Sequence, residues 1–270
     1  MVEIVEEPDD HQSSSSGAGP SSGNASSSQS QPAYTSISQY VSANTMECIL
    51  FMARVLTVFF AINYMLPFIG FVPAHSAYYK IFAASAATFA LRLHTRVQGQ
   101  FALNAQFIQS LVLEDAFHYL IYSVVFLMAA PVSMAALPVT IYAALHASTF
   151  FTKVMRQTGN NLSLVPKLEE FNSRQTQNAL GIIACSEIFL VPLLVSLIFS
   201  GKGSLMLPFA YYRFLSLRYA SRRNPSTRQA FAQMRGSLEN VAQSPSCPAP
   251  VRSFIYKAIG FISSRAPPVL

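Results

Sequence analysis

The stretch Ala116 to Thr152 constrains this chain most. Its 37 residues contain no Asp, Glu, Lys or Arg. As one straight helix it would run roughly 55 Å at about 1.5 Å per residue. A bilayer's hydrocarbon core is only about 30 Å thick, and a soluble helix of that length would show a polar face. Pro131, Ser133 and Pro138 lie near its middle. Proline removes a backbone donor and disfavours helix in the residue before it. The pattern therefore predicts a helical hairpin, with arms near Ala116–Ala130 and Val132–Phe151 and a tight turn between. Two core helices of a soluble all-α protein are the alternative. Composition weighs against it: 51% of residues are hydrophobic and 11% charged, where soluble domains carry about 25% charged residues.

The same pattern recurs on either side. Cys48–Val72 is apolar apart from Arg54, Asn63 and Pro67. Arg54 sits about two turns inside, where it is expected to snorkel toward the headgroups. A turn at Pro73 and His75 leads to a shorter run, Ala77–Leu91. The third pair is Ala179–Phe199 and Ser204–Leu217, joined at Ser200 to Gly203. Glu187 lies within its first arm. A carboxylate in lipid is costly, so it reads either as a relay for protons or ions or, more plainly, as a helix–helix hydrogen bond. Between the pairs lie polar loops, Arg92–Asp115 and Lys153–Asn178, and Val165–Asn178 is expected to form a short surface helix of its own. The expected fold is an all-α polytopic membrane protein of three helical hairpins, about six apolar segments. The second, third and sixth arms are short.

Both ends differ from this middle. Residues 1–45 read as a disordered acidic and serine-rich tail: ten of the eighteen residues from Ser13 to Ser30 are serine. Such a segment buries too little apolar area to offset its ordering entropy, and it has neither the basic nor the apolar region of a signal peptide. Residues 46–217 form the hairpin region, and 218–270 a basic region. Arg213, Arg218, Arg222 and Arg223 stand among Tyr211, Tyr212, Phe214 and Tyr219, a mixture suited to the membrane interface. Ala230, Phe231, Met234, Leu238 and Val241 share one face at helical spacing. So do Val251, Phe254, Ile255, Ala258, Ile259 and Ile262. Apolar faces opposed by Lys and Arg describe helices lying on an anionic membrane. The same faces could instead pack on the hairpins or dock a protein.

With the N-terminus in the cytosol, three hairpins leave 15 of the 18 Lys and Arg residues in cytosolic loops and tail. Only Arg54, Lys80 and Lys202 lie elsewhere, in keeping with the positive-inside rule. The sequons at Asn24 and Asn161 then face the cytosol and are expected to carry no glycan. Glu114 and His118 share a helix face beside Asp115, but a metal site needs three or four ligands, so an interfacial helix start is the simpler reading. Cys48, Cys185 and Cys247 form no paired motif. Neither a phosphate-binding glycine loop nor a nucleophile elbow is present. The residues argue for no enzyme, no cofactor, no metal, no small-molecule substrate and no nucleic acid. The anionic partner of the arginines is a lipid bilayer.

Several blocks resemble a known family. They are Ala90 to His94, Leu113 to Tyr119, Leu145 to Ala147, Ala184 to Pro192, and the long FSGKGSLMLPFAYYRFLSLRYASRRNP from Phe199 to Pro225. Phe261 to Ser263 and Ala266-Pro267 add to them. Together they are similar to the transmembrane protein 33 (Krüppel homologue 2) family, related to yeast nuclear-pore and endoplasmic reticulum membrane proteins. The acidic, serine-rich tail departs from that pattern. The resemblance implies residence in the endoplasmic reticulum membrane and nuclear envelope. It also implies reticulon-type or nuclear pore partners and a part in tubule organisation, nuclear pore organisation or the unfolded-protein response. It carries over no catalytic residues. Three functions follow: a membrane organiser acting through hairpins and amphipathic helices; a scaffold recruiting cytosolic or reticulon-type partners; or a channel or transporter centred on Glu187.

Overall fold

A computed structural model describes residues 34–97, 105–112, 114–160, 162–201, 203–222 and 224–268. Among these the chain is helical throughout, with no strand. Most of the expected tail, with Asn24, lies outside them, as do Asn161, Lys202 and Arg223.

The elements follow the hydrophobic runs. Helix α1 (Ile37–Ala43) precedes α2 (Thr45–Met65). A turn of 3-10 helix at Pro67–Ile69 ends on Gly70, whose φ of 74° is left-handed and favours glycine. Pro73 then leads into α3 (Ala74–Arg96). A short α4 (Ala105–Val112) precedes α5 (Asp115–Leu127) and α6 (Ser133–Gln157). Next come α7 (Leu164–Phe199) and α8 (Met206–Ala220), turning at Gly201 with φ 68°. The Asn224 side chain accepts from the Ser226 N–H at the start of α9 (Pro225–Gln243), where Pro225 needs no partner for its absent N–H. Helix α10 (Ala249–Ser264) completes the chain.

Three of these helices, α2, α6 and α7, are long and apolar enough to cross a membrane. The chain is thus an all-α polytopic membrane protein in architecture. Four boundaries differ from the expectations drawn from sequence. The second arm is not short: α3 has 23 residues, about 34 Å at 1.5 Å per residue. The separate surface helix over 165–178 does not exist. It is the first part of α7, which runs unbroken for 36 residues, because no proline or capping residue interrupts the chain at Asn178. The projecting part is held to α6 by an Arg156–Glu169 ion pair and by Ser148 Oγ donating to Asn172 Oδ1 at 3.0 Å. Residues 34–45, expected in the tail, pack on the bundle. Tyr40 is buried, edge-on to Tyr34 at 5.1 Å and to Phe150 at 6.1 Å.

The fourth difference concerns the central hairpin. Its turn stands where expected, but its arms splay. The close neighbours of α5 are α3 and α8, while those of α6 are α2 and α7. Aromatic side chains span the gap. Tyr119 meets Tyr142 at 4.8 Å, and the Tyr122 hydroxyl donates to the Ala135 carbonyl at 2.7 Å. The main core gathers around these rings, with Tyr78, Phe82, Phe126, Tyr211 and Phe214 fully buried. Aromatic pairs of this kind contribute about 0.5–1.5 kcal/mol each beyond the area they bury.

Candidate functional site: an ion network inside the bundle

Glu187 is wholly buried, and so is Arg218. Helix α7 carries the first and α8 the second, and the turn at Gly201 folds the two helices back on one another. Arg218 Nε lies 3.5 Å from Glu187 Oε2. Its Nη1 donates to Asp115 Oδ1 at 3.4 Å and its Nη2 to the Tyr142 hydroxyl at 3.1 Å. The guanidinium also lies over the Tyr119 ring, 4.8 Å from its centre. The Tyr119 hydroxyl donates to Glu187 Oε1, and the Tyr211 hydroxyl to the Glu187 backbone carbonyl at 2.8 Å. One cation therefore joins α5, α6, α7 and α8. Planar, delocalised and always charged, arginine suits this position where lysine would not.

Asp115 marks where the network reaches the surface. Its side chain is 38% exposed, against 0% for Glu187. It begins α5, where a carboxylate interacts well with the helix dipole, and it also accepts from Ser221 Oγ at 3.3 Å. Beside it, His118 Nε2 donates to the Val112 carbonyl at 2.6 Å, and Arg96 pairs with Glu114 at 3.1 Å. Among the described residues no three His, Cys, Asp or Glu side chains are placed to hold a metal.

This arrangement resolves Glu187 as a helix–helix partner and corrects two other readings. Arg218 does not face the membrane surface: one turn after the buried Phe214, and unlike the exposed Arg213, it points into the bundle to meet Glu187. Arg54 does not snorkel outward. It is buried, facing α3 and α6 in a cleft shared with Arg92 and His146. The sequence showed Asp115, Glu187 and Arg218 separately, but nothing in it pairs residues 103 positions apart. Tyr211 reads from sequence as an interface aromatic, and nothing there marks Tyr119 or Tyr142 as members of the network.

The surface residues divide. Arg213 and Arg222 are exposed, whereas Arg223 lies outside the described residues. Helix α9 spends much of its apolar face on protein: Phe231 packs against Tyr219 at 5.6 Å, and Phe231 and Met234 lie on the main core. Helix α10 leans on α9; on it Ile255 is buried and Ile259 half-buried. Phe254, Phe261 and Ile262 remain more than half exposed, with Val251 and Tyr256 also open. Arg252, Lys257 and Arg265 flank them, and Arg265 covers Phe261 at 5.1 Å.

The family model Transmembrane protein 33/Nucleoporin POM33 matches residues 29–268. The chain belongs to this family. It is 84% identical to the Transmembrane protein 33 homolog of Caenorhabditis elegans over 238 residues, 88% of either chain. It is 42% identical to human Transmembrane protein 33 over 232 residues, 86% of this chain and 94% of the human one. Krueppel homolog 2 of Drosophila melanogaster is 36% identical over 244 residues, covering 89% of this chain and 86% of its own. No solved structure matches significantly.

Proposed function

We propose that this transmembrane protein 33 family member is a non-enzymatic organiser of the endoplasmic reticulum membrane and nuclear envelope. It acts by occupying one face of the bilayer more than the other. The observation that carries this reading is α10. Its apolar side is only half used by α9, and Phe254, Phe261 and Ile262 stand exposed between basic residues. A helix of that kind inserts its apolar side at the boundary of headgroups and acyl chains, drawn by anionic lipid. The short arms support the reading. Helix α5 has 13 residues and α8 has 15, about 20 and 23 Å at 1.5 Å per residue, less than a hydrocarbon core. An inserted surface helix and partly penetrating arms both add area to one leaflet. The family name joins this chain to a nucleoporin, and pore rims and tubules are sites where such asymmetry is favoured. Orientation follows from charge, with both termini cytosolic.

The chain contains no tryptophan, so Phe254→Trp installs one reporter on α10. In the full-length protein reconstituted into vesicles, its emission should shift to the blue and be quenched by brominated acyl chains. Emission typical of water, unaffected by brominated lipid, would overturn the reading. Leu238 and Val241 of α9 are also exposed, which favours a second role as a scaffold for reticulon-type or nuclear pore proteins. Leu238→Asp/Val241→Asp should then lose partners while α10 stays in lipid.

A further inference from the structure

Helix α10 is cationic and has no acid of its own to balance it. From Ala249 to Pro268 the chain holds Arg252, Lys257 and Arg265 but neither Asp nor Glu. Among the described residues no carboxylate pairs with these three. Arg252 donates to the Cys247 carbonyl at 3.4 Å, and Arg265 lies over the Phe261 ring. Glu239, the acid of neighbouring α9, is taken by Arg235 at 2.8 Å. Phe254, Lys257, Phe261 and Arg265 recur at helical spacing and form one exposed stripe. The stripe lies away from the buried Ile255 and the half-buried Ile259. From Phe254 to Arg265 it is about 16 Å long at 1.5 Å per residue. Rings and cations thus share a single surface.

The first ten residues, which lie outside the described ones, carry the matching pattern. Glu3, Glu6, Glu7, Asp9 and Asp10 stand among Val2, Ile4 and Val5, and no Lys or Arg precedes Arg54. About five residues of extended chain, at roughly 3.3 Å each, equal the length of the stripe. The described chain begins at Tyr34, whose N–H donates to the Gln157 carbonyl at 3.1 Å at the end of α6. Residues 11–33 join that point to the acidic head and can reach up to about 75 Å, more than the length of α7, the longest helix described. We propose that this acidic head docks on the Phe254–Arg265 stripe of α10 and competes there with anionic lipid. Val2, Ile4 and Val5 cover the rings while the carboxylates meet Lys257 and Arg265. Pairs between exposed charges are individually weak, so a strongly anionic surface displaces the head and frees α10. The head thereby restricts α10 to membranes rich in anionic lipid. That regulation rests on α10 entering lipid; the docking itself does not.

The test uses full-length Phe254→Trp protein in phosphatidylcholine vesicles of rising phosphatidylserine content. It is compared with the same protein carrying Glu3→Gln/Glu6→Gln/Glu7→Gln/Asp9→Asn/Asp10→Asn. With the head neutralised, the blue shift should appear at lower phosphatidylserine. Insertion at low content should be about tenfold greater, as expected for unmasking one or two surface cations. Coincident titrations would overturn the proposal. Emission typical of water in both proteins at every composition would instead overturn the lipid reading of α10, and with it the competition. A second measurement judges the docking without lipid. In detergent micelles, a carbodiimide should join Lys257 to Glu3, Glu6 or Glu7, read by mass spectrometry of the digested protein. Lys167, exposed on α7 just past Gln157 and so closer to the tail's point of entry, should be joined less. No cross-link at Lys257, or as much at Lys167, would overturn the docking.

Discussion

Removing Arg218 should cost this protein more than removing any other cation on the same helix. The side chain is 2% exposed and is the only group placed to neutralise Glu187, itself 0% exposed, among the described residues. Arg218→Leu leaves that carboxylate buried with a single Tyr119 donor. Breaking a buried ion pair in this way costs about 3–5 kcal/mol. The loss of Asp115 adds at most about 1 kcal/mol, because that carboxylate is half-exposed and water can take over. Glu187→Leu strands the guanidinium instead, though Asp115, Tyr142 and the Tyr119 ring still hold it, so its cost falls at the lower end of the same range. The double variant Glu187→Leu/Arg218→Leu buries neither charge. Apolar replacement of a whole buried pair is often neutral or stabilising. The two substitutions should therefore be non-additive by about 6–8 kcal/mol, far above the roughly 0.5 kcal/mol scatter of independent sites. Arg213→Leu, five residues earlier and exposed, should stay within about 0.5 kcal/mol of wild type. Denaturant unfolding in mixed micelles, followed by circular dichroism, measures all four. Additive costs, or an Arg218 variant no worse than the Arg213 variant, would refute the network.

Further outcomes follow from the same structure. Burial beside Glu47 holds the Tyr40 phenol well above the usual tyrosine range. Its contribution is complete below the unfolded pKa of about 10 and is lost as pH rises through the folded value, so alkaline pH should expose α1 to protease and Tyr40→Phe should delay that. Phe150→Ala, which removes the ring between Tyr40 and Phe51, should loosen α1 and α2 from α6 by about 3–5 kcal/mol, read as faster hydrogen exchange in α1. Phe254→Asp/Ile262→Asp should leave the bundle folded and free α10 from the bilayer, whereas Ile255→Asp, at a buried position, should also weaken its docking on α9. Reconstituted protein should pass no ions, and Glu187→Gln should not change that, because the carboxylate is locked between Tyr119 and Arg218; flux sensitive to this substitution would revive the channel reading.

What the sequence made legible was hydrophobic length and punctuation. The charge-free run and the turns at Pro131 and Gly201 follow from local rules, whereas the first turn stands at Pro67–Gly70, earlier than the expected Pro73 and His75, because Pro67 ends α2 at Met65. The other errors share one cause: they concern what a helix faces. Arg54 and Arg218 look alike to a composition rule, as cations beside apolar runs that ought to reach for headgroups. Both turn inward, because partners far along the chain make burial tolerable. Phe231 and Phe254 both lie on amphipathic stripes, yet one meets Tyr219 and the other is open. The splay of α5 from α6 was equally hidden, since it depends on α5 packing against α3 and α8 while α6 packs against α2 and α7. Tertiary pairing decides such questions, and spacing along one chain does not encode it.

The central claim, that this protein organises membrane by favouring one curvature, has a direct test. Fluorescently labelled full-length protein reconstituted into surface-tethered vesicles of mixed size gives protein density as a function of diameter. Density should rise steeply as diameter falls, and the rise should flatten in Phe254→Asp/Ile262→Asp. A density independent of diameter for the wild-type protein would contradict the account.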